Sequence, residues 1–162
     1  MPLTGHHTNL RPHSSQMTIL IAEDDMDAQL LAKEALHESK FENEVHFVND
    51  GEDLLDFLRQ DGAYIEKASP RPDVILLDLN MPRKDGREAL REIKEDPKLR
   101  TIPVVVMTSS KAEEDIAGTY SLGVNSFVVK PMHFADLVQV MTNIGRYWFE
   151  TVELPPKPAP LC

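Results

Sequence analysis

The sequence predicts an α/β domain: a doubly wound, five-stranded parallel sheet in the strand order 2-1-3-4-5, with helices on both faces. Three observations predict it. Short apolar runs without polar interruption recur along the chain, as strands buried on both faces require. Stretches with apolar residues at helical spacing lie between them, so strand and helix alternate five times. Several of the runs also end abruptly on polar residues, and open α/β sheets place their ligands at the C-terminal ends of their strands.

The elements follow in order. Thr18–Ala22 is a short buried strand that runs into Glu23-Asp24-Asp25. From Asp27 to Ser39, Ala28, Leu31, Ala32, Ala35 and Leu36 recur at i, i+3, i+4, i+7 and i+8, the apolar face of a helix. Val45–Val48 is a second strand, ended by Asn49-Asp50-Gly51, and Glu52–Gln60 a helix with Leu54, Leu55 and Leu58 inward. A polar, Pro-containing loop over 61–72 is long for such a connection. Val74–Leu77 is the third strand and stops on Asp78; Met81-Pro82 and Asp85-Gly86 supply turn chemistry before a helix from Arg87 to about Glu95. Pro103–Met107 is the fourth strand and ends on Thr108, followed by a weakly apolar helix over Lys111–Ser121 with Ile116 and Tyr120 at i, i+4. Ser126–Val129, the fifth strand, ends on Lys130-Pro131. The last helix spans His133 to about Phe149, with Phe134, Leu137, Val138, Met141 and Ile144 at core spacing.

Bulk properties bound the function. The 162 residues suit one folded domain over 17–150, between a flexible leader over 1–16 and a Pro-rich tail over 151–162 that is expected to be extended or disordered outside the fold. The leader holds His6, His7 and His13 but no helical or strand pattern that would fix them as metal ligands, and Met17 is a candidate natural start. A net charge of −10 with no offsetting basic patch argues against nonspecific nucleic-acid binding. No apolar run approaches the ~20 residues of a membrane span. Cys162 is the only cysteine, so no disulfide forms within the chain and a reducing cytoplasm is the simplest location.

Chemistry converges at the strand ends. The first strand delivers Glu23 and Asp24, the third Asp78, the fourth Thr108 and the fifth Lys130, and the order 2-1-3-4-5 makes strands 1 and 3 neighbours. Taken singly, Asp78 reads as a cap or turn residue, Thr108 as a strand-end hydroxyl and Lys130 as a solvated lysine. Together, at successive strand ends, they argue for a site. Clustered carboxylates repel and need a cation or protons to coexist. Hard oxygen donors with little sulfur or imidazole nearby point to Mg²⁺. A carboxylate on such a metal, beside a lysine and a hydroxyl, suits an incoming phosphoryl group, with Asp78 as nucleophile and Thr108 and Lys130 on the phosphoryl oxygens.

Glu23-Asp24 after the first strand, Asp78 within Leu-Leu-Asp-Leu-Asn-Met-Pro-Arg-Lys-Asp-Gly, Met-Thr108-Ser-Ser and Phe127-Val-Val-Lys130-Pro131 resemble the receiver domain of two-component response regulators over roughly residues 17–150. The resemblance implies that Asp78 accepts the phosphoryl group from a histidine kinase. It implies a Mg²⁺ ion on Asp24, Asp78 and the backbone carbonyl of Asn80, with Glu23 acting through a coordinated water. It makes Thr108 the switch hydroxyl, Phe127 the switch aromatic and Lys130 the phosphate contact, with a cis bond before Pro131. Asp25 is then a bystander. The Arg-Pro-Asp-Val-Ile-Leu-Leu-Asp wording, the long loop before it and the ending Tyr147-Trp-Phe-Glu-Thr-Val-Glu-Leu-Pro155 are similar to small response regulators paired with bacterial phytochromes, so a bacteriophytochrome is the expected kinase.

No DNA-binding output domain is expected after the last helix, so the signal should leave through a protein surface. Tyr147, Trp148 and Phe149 form an aromatic cluster at the exposed end of that helix that either caps the core or serves a partner or a second copy, and a homodimer using this end of the chain is expected. Two other readings compete: a Mg²⁺-dependent phosphohydrolase with an aspartyl nucleophile, and a receiver-like binding module that does not use phosphate. Asn80 stands where such hydrolases commonly carry a second acid, and the intact Asp24, Asp78, Thr108 and Lys130 set argues against the third.

Overall fold

A computed structural model describes residues 17–39, 43–109 and 111–156. Five parallel strands, β1 (Met17–Ala22), β2 (Asn43–Val48), β3 (Val74–Leu77), β4 (Val104–Thr108) and β5 (Ser126–Val129), form one sheet in the order β2-β1-β3-β4-β5. Between and after them run α1 (Met26–Glu38), α2 (Gly51–Arg59), α3 (Gly86–Glu95), α4 (Glu113–Ser121) and α5 (Phe134–Gly145). The fold is the doubly wound α/β sheet that the alternation of elements predicts. The leader over 1–16 and its histidines lie outside the described residues, as do 157–162 with Cys162.

Because side chains alternate across each strand, the sheet divides the apolar residues into two cores. Leu20, Ala22, Ile75, Leu77, Val104 and Val106 face Leu54, Phe57, Leu90 and Ile93 from α2 and α3. Ile19, Ile21, Val74, Leu76, Val105 and Met107 face Ala32, Ala35 and Leu36 of α1 and Met141, Ile144 and Trp148 at the end of the chain's last helical segment. Register then fixes the site. Ala22 pairs with Leu77, so Glu23 and Asp78 leave their strands side by side; Thr108 pairs with Val129, so Lys130 follows one step beyond.

Three helices start on an aspartate cap. Asp25 accepts from the amides of Asp27 and Ala28, Asp50 from that of Asp53, and Asp85 from those of Arg87 and Glu88. Each satisfies orphan donors of a first turn. Asp25, read from the sequence as a bystander, is the cap of α1.

Several expected details differ. The 61–72 loop contains a 3₁₀ turn over Gly62–Tyr64, where the Tyr64 hydroxyl donates to Asp53 at 2.8 Å. On α1, Leu31 stays 45% exposed; it lines a cavity instead of closing the core. On α4, Thr119 is buried and Tyr120 is exposed. The last helix is α-helical only to Gly145 and continues as a π-helical stretch over Arg146–Thr151. Val152 and Leu154, assigned to the tail, pack against the α1/α5 core. Among the described residues no helix is long and apolar enough to cross a membrane.

Candidate functional site

At the C-terminal edge of the sheet the structure brings together Glu23, Asp24, Asp78, Thr108 and Lys130. Glu23 and Asp78 are buried, at 5% and 7% exposure, and Thr108 is wholly inaccessible, whereas Asp24 faces solvent. The strand ladder holds the two carboxylate residues by their backbones: the Glu23 amide donates to the Val48 carbonyl at 3.0 Å and the Asp78 amide to that of Ala22 at 3.1 Å. Behind Glu23, the Gln29 side chain donates to the Glu23 carbonyl at 2.6 Å and to Asn49 at 2.9 Å. The spacing of Gln29 on α1 gives no hint of this role.

Both oxygens of the Asp78 carboxylate are engaged. Its Oδ1 accepts from the Thr108 hydroxyl at 2.9 Å and from the Asn80 amide at 3.0 Å; its Oδ2 accepts from Lys130 Nζ at 2.7 Å. Lys130 also pairs with Glu23, bridging the two buried carboxylates. The Asn80 side-chain amide reaches the Thr108 hydroxyl at 3.5 Å. Gly86 lets the loop after β3 close on itself: its amide donates to the Leu79 carbonyl at 2.9 Å, and a Cβ there would lie 2.3 Å from the Asp78 carbonyl oxygen.

These contacts divide the charge unequally. Burial pushes the Glu23 carboxyl above its ordinary value, and the Lys130 ammonium only partly offsets it. Burial acts on Asp78 too, but hydrogen bonds from Lys130, Asn80 and Thr108 outweigh it and hold that carboxyl below its ordinary value. Lys130 is desolvated as well, yet its two carboxylate partners raise it, so it stays an ammonium. The result is an ionised, aimed Asp78 beside a more readily protonated Glu23.

Oxygens of Glu23, Asp24 and Asp78 lie within 4.8 Å of one another. Three carboxylates at that separation, two of them buried, with one ammonium among them, leave a net negative charge that a hard divalent cation neutralises. The residues present fit such an ion.

The remaining sequence-predicted residues sit further out. Phe127 lies on β5 opposite Val106, half-buried against the α2/α3 core, and its amide donates to the Tyr120 hydroxyl at 3.2 Å. The cis bond expected before Pro131 is a correction: the peptide is trans, the lower-energy form for X–Pro, and Lys130 reaches both carboxylates from it. Trp148 is drawn into the α1/α5 core at 9% exposure; Tyr147, packed edge-on against it at 5.1 Å, is 51% exposed and Phe149 half-buried. Of the three aromatics only Tyr147 presents most of its surface.

Beside Asp78 and Lys130 a cavity of about 110 Å³ runs down between α1 and α5, lined chiefly by apolar groups including Ala28, Leu31, Met107 and Leu137. Met26, Leu30 and Met132, on the two segments flanking the site, are exposed at 78%, 55% and 94%.

Comparison with known proteins shows which family the chain resembles. A model of the response regulator receiver domain matches residues 19–142. Response regulator Rcp1 of Synechocystis sp. is 44% identical over 137 residues, which cover 85% of this chain and 92% of that protein. The crystal structure of the phosphorylated cyanobacterial phytochrome response regulator RcpA superimposes with a TM-score of 0.82 at 43% identity, covering 88% of this chain and all of that one. That of the Mn²⁺-bound form of Rcp1 gives 0.79 at 44% identity, covering 86% and 99%.

Proposed function

The chain belongs to the response regulator receiver family, and from that premise we propose that it takes a phosphoryl group from the phosphohistidine of a kinase onto Asp78. The observation that carries the reading is the Asp78 carboxylate itself: buried, held ionised, and met by a hydroxyl on one oxygen and an ammonium on the other. In the transfer an Asp78 oxygen attacks phosphorus, the phosphorus–nitrogen bond breaks, and its electron pair leaves with the imidazole ring, giving an aspartyl phosphate. Lys130 follows the charge from the carboxylate to the phosphoryl oxygens, and Thr108 donates to one of them. Asp24, Asp78 and the Asn80 carbonyl would hold a Mg²⁺ ion, with Glu23 supporting it from the second carboxylate position, and the ion would supply the charge neutralisation that transfer between anions requires. That RcpA is known in a phosphorylated form and Rcp1 in a Mn²⁺-bound form supports phosphoryl acceptance and a divalent cation as the reading for this chain.

The kinase is a bacteriophytochrome in this reading, supported by the likeness to a phytochrome response regulator. The exposed Met26, Leu30 and Met132 beside the site suit docking of a protein donor more than capture of a small phosphate ester. Asn80 occupies the position where a hydrolase would carry its second acid, and its amide is turned to Thr108. The phosphorylated protein acts in the cytoplasm through a protein surface. Thr108 and Phe127 are its switch positions, and Tyr147 with Phe149 forms a homodimer contact, while Trp148 supports them from the core.

Intact-mass spectrometry after incubation with acetyl phosphate and Mg²⁺ tests the reading. The wild type gains one phosphoryl group and Asp78→Asn gains none. Equal gain in both would remove Asp78 from the role.

A further inference from the structure

The loop after β3, which carries Asn80, does not stand alone over the site. At its base Gly86 closes it onto Leu79, and Leu79 and Met81 are buried at 0% and 7% exposure. At its far end it rests on the turn between β2 and α2. There the Gly51 amide donates to the Lys84 carbonyl at 2.8 Å, and a Cβ at position 51 would lie 2.2 Å from that carbonyl oxygen. Real Cβ atoms do not approach so closely and the obstacle is backbone, so only glycine lets the loop settle here. Next to it Arg83 holds a left-handed φ of 60°, unusual for a residue with a side chain. Its guanidinium reaches Asp50 at 3.4 Å and Glu52 at 3.9 Å. Asp50 is itself buried and fixed by capping α2. The turn is thus a rigid seat, and the acceptor loop is held to it by one backbone hydrogen bond and one ion-pair cluster.

We infer that Gly51 and Arg83 are positioning residues for the metal site: the β2–α2 turn sets the height of the acceptor loop, hence where Asn80 stands beside Asp78 and how tightly the carboxylates hold a divalent cation. The inference rests on the phosphate-accepting reading above, which makes the Asn80 carbonyl a ligand. Neither Gly51 nor Arg83 touches the carboxylate cluster. They act through the loop, as outer residues that orient the ligands of a metal do.

Mg²⁺ titration of the full chain, followed by amide NMR shifts of the residues around Asp78, tests it, with thermal unfolding of each variant alongside. Gly51→Ala weakens Mg²⁺ binding about tenfold, and Arg83→Ala weakens it by less. Gly118→Ala serves as control, since a Cβ there meets nothing within 4 Å; it binds Mg²⁺ as the wild type does. Should Gly51→Ala not fold, Arg83→Ala decides. Folded variants with wild-type affinity, whatever their melting temperature, overturn the inference while leaving the phosphate reading intact. A wild type that binds no Mg²⁺ overturns both.

Discussion

Lys130 is the residue on which the carboxylate cluster depends, because among the described residues its ammonium is the cation that pairs with both buried carboxylates. Removing one partner from such a cluster leaves uncompensated charge, so Lys130→Met should destabilise the metal-free chain by about 3 kcal/mol at neutral pH. Mg²⁺ should recover part of that loss, since it binds only the folded cluster. The pH dependence has a definite sign. The Lys130 ammonium is raised above its ordinary value of 10.5, so its contribution is complete below that pH and is lost as pH rises through the higher folded value. Asp78, held below its ordinary 3.8, contributes above that pH, and its share is lost as pH falls through the lower folded value. Denaturant midpoints measured across the alkaline range should therefore fall for the wild type and stay flatter for Lys130→Met; parallel curves would contradict this. At this scale the sequence is most informative: residue type at a strand end, with parallel register, is enough to bring Glu23, Asp24, Asp78, Thr108 and Lys130 to one edge. Gln29, Gly51 and Arg83 are not legible that way: the side chains of Gln29 and Arg83 and the amide of Gly51 reach partners on other segments, and contacts set by loop conformation carry no periodic signal.

Among the elements, β3 and β5 have the bounds the sequence predicts; β3 is buried along its whole length and so stops at the first polar residue, whereas β5, at the sheet edge, starts on Ser126 and is only half-buried. Helical faces are read less sharply. On α1 the spacing groups Leu31 with Ala32 and Ala35, but period cannot tell a core position from one bordering a cavity, and Leu31 borders the cavity beside Asp78. The spacing that turns Met141 and Ile144 inward continues to Trp148, so the core-capping reading holds for that residue and not for Tyr147. Helix α4 is the least well anchored by apolar packing, with only Thr119 buried. Polar contacts tie it in place: Arg87 pairs with Asp115 at 2.7 Å, and the Tyr120 hydroxyl accepts from Phe127. Gly118 then costs helix stability with no packing reason for its presence. Gly118→Ala should raise the unfolding free energy by about 1 kcal/mol in urea titration; no gain would mean that the position requires backbone freedom.

For the whole molecule, two sheet faces with separate cores hold one polar edge, and the two ends of α5 both carry exposed apolar groups: Met132 with Met26 and Leu30 of α1 near its start, Tyr147 past its end. In the proposed function the first group meets the phosphoryl donor and the second, with Phe149, a second copy of the chain. Sedimentation at tens of micromolar should give the mass of a dimer, reduced toward the monomer by Tyr147→Ser with little change in melting temperature. Trp148→Ala should instead cost about 3–5 kcal/mol of stability, as a core truncation does. A monomer mass for the wild type would contradict the dimer. The central claim is the identity of the acceptor, and reductive trapping tests it most directly: borohydride treatment of protein phosphorylated by its kinase or by acetyl phosphate, then peptide mass analysis. The account predicts that Asp78, and no other carboxylate, is reduced, and only when Mg²⁺ was present. Reduction at Asp24 or Glu23, or none in a protein that has demonstrably received phosphate, would contradict it.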